Sequence, residues 1–297
     1  MSQLTIFINI LILLALGIGL PTLVVFFLSL FKIKINKTGQ MYLYSFAAGL
    51  IIILGTVGFI GEAISHSREH FESLNQSSNA LSILQIVGLV GGGSIIGVSI
   101  VFFIRWLVTR GKHELHEHHH HHDHNEEIFN ASDIDNKKLK WLPILLLLGH
   151  RCVDGITLGF MANTASNEIA GFDNWGMIIT FAIHLIPTTI IIYLIQLDIQ
   201  HNKRWKALLI TIGMLLIMVP FTLIGGFLIA NIQDTVWWLM PLLFAISGSI
   251  MTLMSIIELI PEFIHFRNSQ KKQWITSIVL LSIGIILAVI LTCVHME

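Results

Sequence analysis

Eight apolar runs, each long enough to cross a bilayer as a helix, set the terms on which this chain of 297 residues can fold. They lie near 4–31, 40–64, 81–108, 141–162, 174–197, 205–229, 236–264 and 274–294, and are called spans 1 to 8. A hydrocarbon core needs about 20 apolar residues, and within it every backbone N–H and C=O must be satisfied inside the segment, which leaves helices. Composition agrees, with 54% hydrophobic and 12% charged residues and a mean hydropathy of +0.79. The expected fold is all-α: a polytopic membrane protein with eight transmembrane helices, in which residues 1–297 form a single transmembrane domain. Span 1 is too long for a signal peptide and has no basic leader or convincing cleavage site, so it is expected to stay in the mature protein.

Basic residues set the orientation. Lys32, Lys34 and Lys37 follow span 1, and Arg105, Arg110, Lys112, Lys137, Lys138 and Lys140 flank the loop after span 3. Lys203, Arg204 and Lys206 follow span 5, and Arg267, Lys271 and Lys272 follow span 7. Arg68 alone lies in a loop of the other parity, and Arg151 is inside a span. Because cytoplasmic loops carry the excess of Lys and Arg, fifteen of the seventeen basic residues put both termini outside and the long third loop in the cytosol. The cell membrane is the default location. No nucleotide-binding loop is present, so ATP-driven pumping is not expected, and neither nucleotide nor nucleic acid is expected as a partner.

That third loop, residues 109–140, holds eight of the fifteen histidines: His113, His116, His118, His119, His120, His121, His122 and His124, interleaved with Glu114, Glu117 and Asp123. Imidazoles at this density bind borderline divalent metals, but their spacing fixes no closed site. Weak, fast metal exchange by a disordered loop is the expectation, and a merely solvated loop the plain alternative. The two cysteines, Cys152 and Cys293, fall in spans and are expected to pack; they cannot make a disulfide framework. Cys152 lies about 200° around the helix from His150, which speaks against a ligand role beside it.

The chemistry concentrates in spans 4 and 5. Span 4 reads Gly149-His150-Arg151-Cys152-Val153-Asp154-Gly155, and span 5 reads Ala182-Ile183-His184-Leu185-Ile186-Pro187-Thr188-Thr189. His150 and Asp154, four apart, share a helical face. His150 comes about 13 Å into its span at ~1.5 Å per residue, and His184 at a similar depth, so both reach the midplane. Ionisable groups at that depth are costly and mark pathways or binding sites. Two unrelated interhelical hydrogen bonds are the plain alternative. Pro187 removes a backbone hydrogen bond and is expected to open a carbonyl or bend the helix.

This pattern resembles the ZIP family of metal transporters, whose fourth and fifth helices carry His-Asn-x-x-Asp-Gly or His-Asn-x-x-Glu-Gly and His-Glu-x-Pro-His-Glu. Phe244-Ala245-Ile246-Ser247-Gly248 leading to Glu258-Leu259-Ile260-Pro261-Glu262 is similar to that family's seventh helix, and Phe46-Ala47-Ala48-Gly49 leading to Glu62-Ala63 to its second. The resemblance covers essentially the whole chain and implies a homodimer. Spans 2 and 7 also share a pattern while running in opposite directions, a faint sign of the inverted repeats found in transporters.

ZIP helices usually hold two adjacent metal positions. The resemblance implies that one survives here, made of His150, Asp154 and His184 with Thr188 as a poor fourth partner. The second has lost its ligands: Arg151 stands where the Asn would be, Leu185 replaces the acid, and Val219 precedes Pro220 where some relatives have Glu. Arg151 is read as a substitute for the second ion, paired with Asp154 at i,i+3 reach. Glu62 near the outer mouth, and Glu258 and Glu262 near the cytosolic end, suit entry and exit relays.

An N, N, O ligand set with an open fourth place suits Zn²⁺ and accepts Fe²⁺, Mn²⁺ or Cd²⁺. The expected function is transport of a divalent metal into the cytosol, with the metal as cargo and no cofactor. A metal-responsive membrane sensor that binds without transporting is the alternative. A membrane-embedded zinc hydrolase fits less well, because no His-Glu-x-x-His and no further span histidine near His184 completes a catalytic set, so no enzyme is expected.

Overall fold

A computed structural model describes residues 3–31, 36–74, 80–109, 141–164, 175–229, 232, 235–260 and 271–296. Among the described residues there is no strand. Eight helices among these residues are long and apolar enough to cross a membrane: Gln3–Leu30, Thr38–Ser73, Ala80–Val108, Leu142–Asn163, Phe181–Ile199, Arg204–Leu228, Leu239–Leu259 and Lys271–Cys293, matching spans 1 to 8 in order. Spans 4, 5 and 7 are the most buried, whereas spans 1, 3 and 8 turn most of their surface outward. The outward faces are as apolar as the core, with Leu84, Ile95, Phe102 and Phe103 exposed on span 3 and Ile286 on span 8. Such a surface suits lipid.

Lipid gives apolar faces no reason to associate, so helix contact rests on small residues that let backbones approach. A Cβ on Gly248 of span 7 would collide with the Gly55 carbonyl of span 2, and one on Gly159 of span 4 with the Thr222 carbonyl of span 6. Both close approaches involve wide i→i+5 turns: Leu54–Ile60 in span 2 and Gly225–Ile229 in span 6, with a third at Ser255–Leu259 in span 7. Each wide turn inserts a residue into the helix and re-aims the side chains around it.

Contacts along their length show that spans 2 and 7 are antiparallel. Trp237 stacks on His70 at 4.2 Å, Phe244 on His66 at 5.6 Å, and Ser255 Oγ donates to the Ala48 carbonyl at 3.1 Å. Spans 3 and 7 run parallel, with Gly93 against Ala245 and Arg105 Nη1 at 3.6 Å from Glu258 Oε1. Spans 4 and 6 do likewise, from Gly155 against Met218 to Asn163, whose Nδ2 donates to the Gly226 carbonyl at 2.7 Å.

One local expectation changes. Span 2 continues past its apolar run to Ser73. Its polar last turns remain helical, with Glu62 at 3.6 Å and Glu69 at 3.7 Å from His66 at helical spacing. Span 5 stays helical through Pro187, from Trp175 to Ile199, so the proline does not end the helix. Next to the proline, Thr188 and Thr189 turn their hydroxyls back to the Leu185 carbonyl at 3.0 and 2.6 Å. The carbonyl that loses its partner to Pro187 is that of Ile183, one turn earlier than the proline.

Candidate functional site

The helix Trp141–Thr164 presents His150 and Asp154 one turn apart, and the helix Trp175–Ile199 brings His184 to them. Asp154 Oδ2 lies 3.2 Å from His150 Nε2 and 3.5 Å from His184 Nε2. One ligand atom from each residue falls within 4.8 Å of the others. All three side chains are buried, Asp154 completely. Neither carboxylate oxygen accepts a hydrogen bond, and His150 Nε2 makes none. Buried polar atoms left in that state are costly unless a further partner serves them. Two imidazole nitrogens and a carboxylate oxygen converging in a dry place form a donor set that fits a borderline divalent cation.

The surroundings come from spans 2 and 7. His150 Nδ1 is hydrogen-bonded to Ser247 Oγ, which leaves Nε2 as the nitrogen turned to Asp154. Phe59 lies edge-on to both histidines, with ring centroids 5.2 Å from His150 and 6.3 Å from His184. Phe181 and Phe244 pack on Phe59 at 6.1 and 6.0 Å, and His66 stacks against Phe244.

Arg151 departs from expectation. It does not pair with Asp154. Its guanidinium, 1% exposed, donates from Nη2 to Thr189 Oγ1 at 2.9 Å and to Thr188 Oγ1 at 3.5 Å, while Nε and Nη1 have no hydrogen-bond partner. Asp154 turns with His150 toward His184, while the Arg151 guanidinium is held by the adjacent hydroxyls of span 5. Thr188 Oγ1 also donates to its own helix carbonyls, so the residue expected as a fourth ligand already serves Arg151 and span 5. Leu185 is fully buried in the apolar core.

Glu62 is half-buried beside His66. Glu258 is nearer the surface than its place in an apolar run suggests, with its side chain 20% exposed and paired to Arg105. Cys152 Sγ donates to the Leu148 carbonyl at 3.3 Å. Glu262 and the loop histidines His113, His116, His118, His119, His120, His121, His122 and His124 lie outside the described residues. Ser247 and Phe59 were not singled out as site residues from sequence. A serine in mid-span must find a partner, which is a signal for Ser247; Phe59 is one aromatic among many and carries none.

No protein-family model matches the chain, and no curated protein matches it.

Proposed function

We propose that this chain is a ZIP-like carrier of divalent metal cations, zinc foremost, into the cytosol. The single observation that supports this reading most is the buried convergence of His150, Asp154 and His184, with the Asp154 oxygens and His150 Nε2 accepting or donating no hydrogen bond. A dry N, N, O set on two neighbouring helices meets the coordination preference of Zn²⁺ and leaves a place open for water or a passing ligand. Three ligands hold an ion weakly enough for release, as a carrier requires.

In this reading the ion enters past Glu62 and His66, crosses the wall of Phe59, Phe181 and Phe244 when spans 2 and 7 shift, and leaves past Glu258. Ser247 acts on the ion through His150, by fixing which imidazole nitrogen faces it. Both termini lie outside a cell membrane, the histidine loop faces the cytosol, and the working unit is a homodimer. The test is zinc uptake into proteoliposomes holding the purified chain: saturable flux supports the carrier, binding without flux a sensor, and turnover of an added substrate a hydrolase.

A further inference from the structure

Two opposite charges lie one turn apart on span 4 without meeting. Neither oxygen of the fully buried Asp154 accepts a hydrogen bond, and Arg151 leaves Nε and Nη1 without a partner. Only Nη2 is engaged, on Thr189 at 2.9 Å and Thr188 at 3.5 Å. A buried charge with an unused partner nearby is among the costliest arrangements a fold retains. The i,i+3 spacing lets the guanidinium reach the carboxylate by side-chain rotation alone, with the backbone held. The guanidinium rests on Thr188 and Thr189, and a second resting place on Asp154 would make it a two-state element.

From this we infer that Arg151 is a tethered counter-ion. It rests on Thr188 and Thr189 while a divalent cation occupies His150, Asp154 and His184, and it swings onto Asp154 when the cation leaves. This rests on the transport reading above. With the guanidinium on the threonines, the carboxylate is open to a metal. With the guanidinium on Asp154, the emptied centre is a neutral pair that crosses hydrocarbon far more cheaply than a bare carboxylate. Net transport then needs no ion carried back in exchange.

Two fluxes measured on one proteoliposome preparation, with Zn²⁺ as the probe, test this: net uptake into zinc-free vesicles, and exchange against zinc loaded inside. Losing the tethered charge strands the empty carrier, so Arg151→Gln is expected to cut net uptake by at least about tenfold while exchange stays within about twofold. Arg151→Lys keeps a charge on the tether and is expected to restore net uptake. If a folded Arg151→Gln loses both fluxes together, or neither, the inference is overturned. Wild-type net uptake at least about tenfold slower than exchange would mean that the empty form returns poorly even with the charge in place, and overturns it too.

Should Arg151→Gln fail to fold, Thr189→Ala serves instead. That change removes the nearer of the two resting hydroxyls and leaves the charge, so the guanidinium is biased onto Asp154 and the zinc Kd is expected to rise by at least about tenfold. An unchanged Kd overturns the inference. Wild-type protein with neither zinc flux nor zinc binding fails the transport reading itself, and this inference with it.

Discussion

His150 of span 4 and Ser247 of span 7 are joined by a hydrogen bond from Nδ1 to Oγ, on the imidazole whose other nitrogen faces Asp154 at 3.2 Å. A rotation of span 7 therefore cannot leave the candidate site untouched. The next residue, Gly248, is also where span 7 presses on the wide turn of span 2.

Ser247→Ala is expected to weaken zinc binding by about 10–100-fold, the usual cost of removing a partner that orients a ligating histidine. Equilibrium binding to the purified chain checks this, with Ser247→Thr, which keeps the hydroxyl, recovering part of the loss. Equal affinity for Ser247→Ala and wild type would leave Ser247 a packing residue.

Helix packing makes a prediction that does not depend on metal. Gly159→Ala puts a methyl into the Thr222 carbonyl and is expected to cost about 1–3 kcal/mol. Gly91 of span 3 faces open space, so Gly91→Ala should be neutral or stabilising by up to about 1 kcal/mol. Thermal unfolding of the two variants in detergent compares them directly.

Glu258 and Arg105 form a half-exposed ion pair, a class of interaction that contributes about 1 kcal/mol or less. Glu258→Gln should therefore barely move the melting temperature. As an exit relay, however, it should slow zinc uptake. A variant as active as the wild type removes Glu258 from the pathway.

Deleting His113 to His124 is expected to alter the apparent rate or the metal sensitivity of uptake by a modest factor and to leave transport intact, because these ligands hold no fixed site. Complete loss of flux in a folded deletion variant would make the loop an obligatory part of the path.

The eight helices were readable because bilayer thickness imposes a length on every apolar run, and that rule acts one segment at a time. The meeting of His150, Asp154 and His184 was partly readable: helical spacing puts the first two together, and equal depth brings the third level with them. What fixed the rest was side-chain geometry between helices. Arg151 lies within reach of Asp154 by spacing, yet two adjacent threonines on another span hold it, and no pattern along span 4 reveals that. Likewise no local pattern along the chain marks the wide turns at Leu54–Ile60, Gly225–Ile229 and Ser255–Leu259.

Zinc uptake by Asp154→Ala in proteoliposomes tests the central claim most directly, since Asp154 supplies the only carboxylate of the buried group. Saturable uptake is expected of the wild type and, for a monodisperse and correctly inserted Asp154→Ala, uptake no faster than in protein-free vesicles. Wild-type rates in that variant would contradict it.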